Sequence, residues 1–380
     1  MADADLLSEF SLFLKEIRAG GTKIIAYLAH DNIPEELIDA AGFFPLRMMF
    51  GGNDELMDAS HEYLPASTCS FAQSSIGLFS LKPNLYQFLD QVDYFIVSNH
   101  CVSDICASEI ISKYYDIPRI DFYVSYTKNV NSLKYFKLEL LDFKNQLEEL
   151  SGQKINDHDL ISSMQKYNEY KIILKEINEL EILGSEKLKI IQKAMLYGPR
   201  SIEELKEEIQ ILKKEPSNQL KNLKPILLTG CSAFIGDPLI DWIEEGGGNV
   251  VFFDTWIGNH YYSQIIDEKK INSSEDPLDL LVTRFKDNIY GDHTVTQFLG
   301  NKIAFMEDFN RKYEEKTGKK VGVINHIIKF CDHMSLMSPF LKERLQEIGI
   351  QVLNLEKDYS RANRGQLSTR IEAFLEMIKN

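Results

Sequence analysis

Short apolar segments of strand length alternate with amphipathic helices in two regions of this 380-residue chain, and this alternation strongly constrains its fold. The first region contains the segments KIIAYLA (23–29), PLRMMF (45–50), YFIVS (94–98) and RIDFYV (119–124). The second region contains the segments PILLTG (225–230), VVFFD (250–254), VGVINHIIKF (321–330) and QVLNL (351–355). Apolar strands that alternate with helices are typical of parallel sheets covered on both faces. The pattern therefore predicts an α/β fold with two Rossmann- or flavodoxin-like parallel-sheet domains.

Between these two regions the pattern changes to long charged helices. In residues 131–216, Leu and Ile recur at spacings of three and four, as in helices that bury one face. We therefore predict an N-terminal α/β domain at residues 1–130, a helical segment at 131–222 and a C-terminal α/β domain at 223–380. A duplicated arrangement of this kind usually places its functional cleft between the two units.

Charge and hydropathy argue against two classes of protein. The net charge is −15, which opposes nucleic-acid binding because neutralising phosphates requires a clustered basic face. The longest apolar runs are far shorter than the roughly 20 residues that a membrane-spanning helix needs. The N-terminal MADADLLSEF lacks the basic and apolar regions of a signal peptide, so we expect a cytoplasmic location.

Several common catalytic motifs are missing from the sequence. It contains no GxxxxGK[ST] phosphate-binding loop, no GxGxxG after a strand and no GxSxG nucleophile elbow. His61 and Glu62 do not continue into HExxH, because Pro65 occupies the position of the second histidine. ATP hydrolysis, dinucleotide binding, zinc proteolysis and hydrolase chemistry therefore have no motif support.

Three of the five cysteines occupy related positions. Cys101 and Cys331 directly follow predicted strands and come before helices, the second of these helices being expected at 338–348. Cys69 follows PAST, a cap-like sequence for a helix expected to begin near 67–68. Helix N-termini favour thiolates, so these positions suit metal ligands drawn from distant segments. At this point two interpretations remain open, a shared metal site on the three cysteines or ordinary burial of each.

The other two cysteines are weaker candidates. Cys106 follows Cys101 by five residues, which places the two about 140° apart on a helix, so we expect Cys106 to be a structural residue. Cys231 follows the predicted strand ending in LLTG. It is either a ligand or near neighbour of the metal site, or a buried residue at the interdomain cleft.

Four histidines lie near predicted strand ends or helix starts, namely His30, His100, His326 and His333. Lone histidines are more often structural or solvated than catalytic. Because His30 and His100 lie beside the suspected site, we favour these two as catalytic residues, with Glu62 as a further candidate for the general base.

Five segments of the chain resemble the 2-hydroxyacyl-CoA dehydratase and benzoyl-CoA reductase family. They are DNIPEELIDAAGFFPLR (31–47), YLPASTCSFAQSS (63–75), NHCVSDIC (99–106), IIKFCDHMSLMSPFLKERLQEIGIQVLNLE (327–356) and GQLSTRIEAFLEMI (365–378). The resemblance runs from about residue 20 to the C-terminus and is weakest in the helical segment. The chain length and the segments PASTCSFAQSS and CVSDIC are nearer to the smaller, β-type subunit of these enzymes.

The resemblance implies a [4Fe–4S] cluster in the cleft between the two α/β domains, held by Cys69, Cys101 and Cys331 with one iron left open. It also implies a related partner subunit in a heterodimer, or a second copy in a homodimer, and a separate ATP-hydrolysing iron–sulfur activator. Relatives can carry a non-ligand cysteine at the position of Cys106, whereas a cysteine at the position of Cys231 is unexpected.

The implied activity is the syn or anti elimination of water from a 2-hydroxyacyl-CoA through a ketyl radical, which produces a 2-enoyl-CoA. One alternative is a benzoyl-CoA-reductase-type subunit, which takes part in ATP-driven reduction of an aryl-CoA. Another is a cluster-bearing subunit that relays electrons without catalysis. A double-cubane reductase would need more cysteines than the five present, and an interaction protein without metal is the remaining interpretation.

Overall fold

The computed structural model describes residues 2–28, 32–99, 101–214, 218–273, 276–289 and 297–378. Within these ranges the chain forms two four-stranded sheets. The strands are β1 (Ile24–Leu28), β2 (Phe44–Met48), β3 (Val92–Ser98), β4 (Arg119–Phe122), β5 (Lys224–Gly230), β6 (Gly248–Asp254), β7 (Gly322–Ile328) and β8 (Val352–Lys357). Each overlaps a strand predicted from sequence, and the α/β class with two parallel sheets is confirmed.

Helices cover both sheets and also make up most of the chain between β4 and β5. They are α1 (Ala2–Ala19), α2 (Glu35–Ala40), α3 (Asp54–Ala59), α4 (Ser70–Leu81), α5 (Val102–Tyr114), α6 (Val130–Ser151), α7 (Asp157–Asn178), α8 (Gly184–Tyr197), α9 (Ile202–Leu212), α10 (Leu239–Glu245), α11 (Asn259–Tyr262), α12 (Glu268–Ser273), α13 (Pro277–Asp287), α14 (Phe298–Thr317), α15 (Asp332–Glu347) and α16 (Arg364–Met377). Helices α6 to α9 make up the predicted helical segment, while the domain boundaries themselves stay a prediction.

The two sheets share one topology. Their strand orders are β2-β1-β3-β4 and β6-β5-β7-β8, and the described pairings are all parallel. In each sheet the strand order reverses between the two central strands, β1 and β3 in the first and β5 and β7 in the second. Ligands of open α/β sheets bind beyond the carboxyl ends of the strands at this reversal.

Burial explains why the strands were recognisable from sequence. Every residue of β1, β2 and β7 is buried. Because helices cover both faces of such strands, most of their residues are apolar, without the alternation of a strand that has one exposed face.

Two helix starts differ from the sequence-based prediction. Helix α4 begins at Ser70 instead of near 67–68, because residues 65–68 form a turn in which Thr68 N–H donates to the Pro65 carbonyl at 3.0 Å. Helix α15 begins at Asp332 instead of 338, with Pro339 inside the helix. In both cases the residue that caps the helix is a cysteine, Cys69 or Cys331.

The two α/β units join next to the carboxyl ends of their strands. Ile235 N–H donates to the Met49 carbonyl at 3.0 Å and the Ile235 carbonyl accepts from Gly51 N–H at 2.8 Å, which pairs the segments that follow β2 and β5. Nearby, the rings of Phe71 and Phe234 stack with centroids 4.2 Å apart. The edges where ligands bind in this type of fold therefore meet at the junction of the units.

Candidate functional site

Cys101 lies at the carboxyl end of β3 and is the N-cap of helix α5. Its Sγ accepts a hydrogen bond from the backbone N–H of Asp104 at 3.3 Å. The sulfur thus takes the place of the side-chain oxygen that usually satisfies a free N–H at a helix start.

Cys69 is the N-cap of helix α4, and it is buried. The next residue, Ser70, donates its backbone N–H to the carbonyl oxygen of Lys329 at 3.2 Å. This bond joins the N-terminal unit to the turn that comes just before Cys331.

Cys331 follows β7 after a tight turn and is the N-cap of helix α15. In this turn Cys331 N–H donates to the Ile328 carbonyl at 2.9 Å, and Phe330 has a φ of 65°. A left-handed conformation costs a residue with a Cβ about 1–2 kcal/mol. Backbone strain of this kind is often found at functional sites.

The fold brings the sulfurs of Cys69, Cys101 and Cys331 together. Charge at Cys331 raises the pKa of Cys69, and charges at Cys69 and Cys331 raise the pKa of Cys101. The three thiols, which come from both α/β units, therefore lie within electrostatic reach of one another at the junction.

Burial dominates the protonation of Cys69 and Cys101. It raises the pKa of Cys69 to about 12 and that of Cys101 well above its usual value. The backbone N–H groups at the helix starts favour the thiolates, as expected, by lowering both pKa values, but desolvation outweighs them. A bound metal reverses this balance, since metal ions deprotonate the thiols that coordinate them.

The chemistry of these donors fits a cluster better than a single ion. In the described ranges, no three Cys, His, Asp or Glu side chains are grouped as the ligands of one metal ion would be. The thiolates of a four-iron cluster each bind a different iron, so they are spread around a larger group. Three thiols that repel one another when ionised, of which Cys69 and Cys331 are buried and Cys101 is half-buried, have the composition that such a group requires.

Cys231 lies inside this site, whereas Cys106 is half-buried on α5. Cys231 is almost fully buried, and its Sγ accepts from the backbone N–H of Ile328 at 3.4 Å. The Cys231 thiol is also the largest influence that raises the pKa of Cys331, ahead of burial. Of the two interpretations left open by the sequence, the structure favours a near neighbour of the three thiols.

The structure describes two of the four histidines that the sequence singled out, His326 and His333. His30 and His100, the two predicted catalytic residues, lie outside the described residues. His326 is fully buried, its Nδ1 bonds the Cys231 carbonyl at 2.9 Å, and burial lowers its pKa to about 4, so it is a neutral structural group. His333 lies against the site, with Nδ1 3.8 Å from Cys331 Sγ. Glu62 is exposed.

Sequence reasoning missed two side chains near the thiols. Asp104 raises the pKa of both Cys101 and Cys69, and its place in the first turn of α5 was a usable signal. Tyr359 lies just beyond the carboxyl end of β8, and no sequence motif indicates its position near the thiols. Its hydroxyl is buried close enough to the cysteines for charge on Cys69, Cys231 and Cys331 to raise its pKa.

A second buried polar network is centred on α2, in the first of the segments that carried the resemblance. Glu35 accepts hydrogen bonds from Arg47 Nη2 at 3.2 Å and from the Tyr261 hydroxyl at 2.5 Å. Glu36 pairs with Lys171 of α7 at 3.2 Å and with Arg284 of α13. These bonds fix α2 to four later elements of the chain, β2, α7, α11 and α13, which gives this segment a structural role.

A cavity of about 880 Å³ runs along the edge strand β6. Phe252, Phe309 and Tyr313 form its apolar wall, and Lys187 and Lys316 are among its charged lining residues. None of the five cysteines is among the residues that line it. This cavity is therefore separate from the thiol site.

In the ranges that the structure covers, no helix combines the length and apolar character needed to cross a membrane.

Comparison with known proteins agrees with the fold. The family model described as "2-hydroxyglutaryl-CoA dehydratase, D-component" matches residues 32–378. The chain is 26% identical to the (R)-phenyllactyl-CoA dehydratase beta subunit of Clostridium sporogenes, covering 91% of this chain and 89% of that one. It is 25% identical to a benzoyl-CoA reductase subunit of Thauera aromatica (86% and 83%) and 23% identical to lactoyl-CoA dehydratase subunit beta of Anaerotignum propionicum (91% and 89%). Because the family model covers nearly the whole chain, this protein belongs to the 2-hydroxyglutaryl-CoA dehydratase D-component family.

Proposed function

We propose that this chain is the iron–sulfur subunit of a 2-hydroxyacyl-CoA dehydratase, which eliminates water from a 2-hydroxyacyl-CoA through a ketyl radical to give a 2-enoyl-CoA. The observation that carries the proposal is the convergence of three thiols, each at the start of a helix, at the junction of the two α/β units. Relatives named as dehydratase beta subunits, aligned over nine-tenths of this chain, support the same class of reaction.

In this proposal Cys69, Cys101 and Cys331 hold a [4Fe–4S] cluster with one iron open. When bound, the cluster supplies a low-potential electron and a Lewis-acidic iron. The chain itself supplies backbone N–H groups at the starts of α4, α5 and α15, which oppose the effects that raise the pKa values of the three sulfurs. Burial of Cys69 and Cys331 limits contact of the site with water.

A second, different chain is part of the proposal, because the relatives are named as subunits of larger enzymes. We expect a heterodimer with a related chain, with a homodimer as the alternative. A separate iron–sulfur activator would hydrolyse ATP, in agreement with the absence of a phosphate-binding loop motif from this sequence.

Reduction of an aryl-CoA is the second candidate function. The benzoyl-CoA reductase relative matches this chain almost as well as the first dehydratase relative does, with 25% against 26% identity. The two reactions differ in how they use electrons: the dehydratase returns its electron after each turnover, whereas the reductase consumes electrons and ATP with each product.

The test is to purify the chain anaerobically with its partner, activate the complex, and supply (R)-lactoyl-CoA, (R)-phenyllactyl-CoA or benzoyl-CoA in separate assays. We expect a 2-enoyl-CoA product from one of the two hydroxyacyl thioesters, with far less than one ATP hydrolysed for each product. Reduction of benzoyl-CoA with ATP consumed in proportion to product would support the second candidate instead. A complex that contains a cluster but transforms none of the three thioesters would contradict both.

A further inference from the structure

Cys231 is held in place by a glycine and a histidine. Gly230, the last residue of β5, has a φ of 88°, and a Cβ there would lie 2.3 Å from the His326 carbonyl oxygen. Only glycine therefore allows the chain to turn at this point. Beyond the turn, Cys231 N–H donates to that carbonyl at 2.8 Å, and the Cys231 carbonyl meets His326 Nδ1 at 2.9 Å.

This backbone arrangement places the Cys231 sulfur behind the Cys331 turn. Cys231 Sγ accepts from Ile328 N–H at 3.4 Å, and the carbonyl of the same Ile328 accepts from Cys331 N–H at 2.9 Å. Cys231 and Cys331 therefore both bond to Ile328, one to its backbone N–H and the other to its carbonyl. Both cysteines are thus tied to one turn.

Tyr359 independently indicates that a hydrogen-bond acceptor belongs next to the Cys331 turn. The residue is only 7% exposed, and its hydroxyl has no hydrogen-bond partner among the described residues. Lys329 N–H, two residues before Cys331, donates at 2.8 Å to the carbonyl of Lys357, two residues before Tyr359, so Tyr359 follows a strand end beside the Cys331 turn. Burial and the nearby charges of Asp237, Cys69, Cys231 and Cys331 raise the pKa of its hydroxyl well above the usual value. A buried phenol normally has a partner, and sulfur ligands or sulfides of a cluster would supply one.

The ring of Tyr359 is held firmly. Lys357 Nζ lies 4.9 Å from the ring centroid on one side. A Cβ at Gly52 would come within 3.0 Å of the ring, so the absence of a side chain there leaves room for it. The hydroxyl is thus positioned by packing and not by a hydrogen bond of its own.

We propose that Cys231 and Tyr359 donate hydrogen bonds to the sulfur atoms of the cluster site and raise its reduction potential, with Cys231 remaining a thiol instead of a fourth iron ligand. This inference rests on the function proposed above, since it requires a cluster on Cys69, Cys101 and Cys331. Hydrogen bonds to cluster sulfurs stabilise the more negative, reduced state, so each lost bond lowers the potential. With Cys231 held behind Cys331, the fourth iron stays open to substrate.

The test compares the anaerobically purified complex with its Cys231→Ala, Tyr359→Phe and doubly substituted forms. We expect the wild-type iron content in all four proteins, a midpoint potential shifted to more negative values in each single variant, and a larger shift in the double variant. The Mössbauer signal of the unique iron, which lacks a cysteine ligand, should be unchanged. Cys106→Ala is the control, for which we expect no shift.

The possible failures are distinct from one another. Loss of iron, or a changed unique-iron signal, in both Cys231→Ala and the size-conserving Cys231→Ser would show that Cys231 is a ligand and overturn the inference. Unchanged potentials in both single variants would overturn the tuning role. A wild-type complex without iron would instead overturn the proposed function on which the inference depends.

Discussion

The backbone N–H of Ser70 donates to the carbonyl oxygen of Lys329 at 3.2 Å, which joins the residue after Cys69 to the turn before Cys331. Two helix starts from different α/β units are thereby fixed next to each other. The arrangement of the thiols therefore depends on the junction of the two units.

The stacked rings of Phe71 and Phe234 should contribute strongly to this junction. Both side chains are buried, so we expect Phe71→Ala and Phe234→Ala each to lower the free energy of unfolding by about 3–5 kcal/mol. The double variant should cost less than the sum, by about 0.5–1.5 kcal/mol, because the rings contact each other. Chemical denaturation measures these values, and strict additivity would contradict the contact. Leu12→Ala, at an exposed position, should change stability by less than about 0.5 kcal/mol.

A glycine substitution should stabilise the protein in the turn before Cys331 and destabilise it inside a helix. Phe330 has a positive φ, so Phe330→Gly relieves strain and should raise the free energy of unfolding by about 0.5 kcal/mol after the entropic cost of glycine. Phe340 is an exposed phenylalanine inside α15, where Phe340→Gly should lower stability by up to about 1 kcal/mol. Thermal or urea unfolding compares the two, and equal losses would contradict a strained turn.

Protonation of Glu36 should account for part of the stability that the protein loses in acid. Burial disfavours its charged form, but Arg284 and Lys171 outweigh burial and lower its pKa to about 2 from 4.5. The folded state therefore stabilises the ionised Glu36 carboxylate more than the unfolded chain does. This stabilisation is present above pH 4.5 and is lost as the pH falls towards 2.

Urea titrations of the Glu36→Gln variant between pH 7 and pH 2 test this sign. Its stability should depend less on pH than that of the wild type between pH 4.5 and 2. The exposed Glu149→Gln serves as control and should follow the wild-type curve. If Glu36→Gln lost stability in acid as steeply as the wild type, the pairing of Glu36 with Arg284 and Lys171 would be contradicted.

Lys357 and Asp237 form an ion pair next to the Tyr359 ring, and removing only one of the two charges should destabilise the protein. Lys357 Nζ lies 3.0 Å from the Asp237 carboxylate, and both side chains are buried. Lys357→Met leaves a buried carboxylate without its cation and should lower the free energy of unfolding by about 3–5 kcal/mol. Adding Asp237→Asn should recover much of this loss, because the charge is removed while an acceptor for Leu239 N–H remains. A double variant as unstable as the single one would contradict the argument.

The central strands were predictable because parallel strands covered on both faces are mostly apolar, as in β1 and, apart from Asn325 and His326, in β7. The positions of Cys101 and Cys331 followed from this, since strand ends are easier to locate than loops. Helix starts were less predictable. The capping roles of Cys69 and Cys331 depend on turns that local composition does not reveal, and Pro339 lies inside α15.

The chemistry around the thiols was harder to predict than their positions. A helix start suggests a thiolate, but whether burial outweighs it depends on the packing of both units around Cys69. Similarly, the hydrogen bond from Ile328 N–H to Cys231 Sγ and the burial of Tyr359 arise from segments that are distant in sequence. Such relationships follow from tertiary structure, and no motif in the sequence encodes them.

The most direct test of the account is the iron and acid-labile sulfide content of the anaerobically purified chain and of four single variants. We predict about four irons per chain in the wild type and in Cys106→Ser, and loss of most of the iron in Cys69→Ser, Cys101→Ser and Cys331→Ser. A wild-type protein without iron, or a Cys106→Ser variant that loses as much iron as the other three, would contradict a cluster held by Cys69, Cys101 and Cys331.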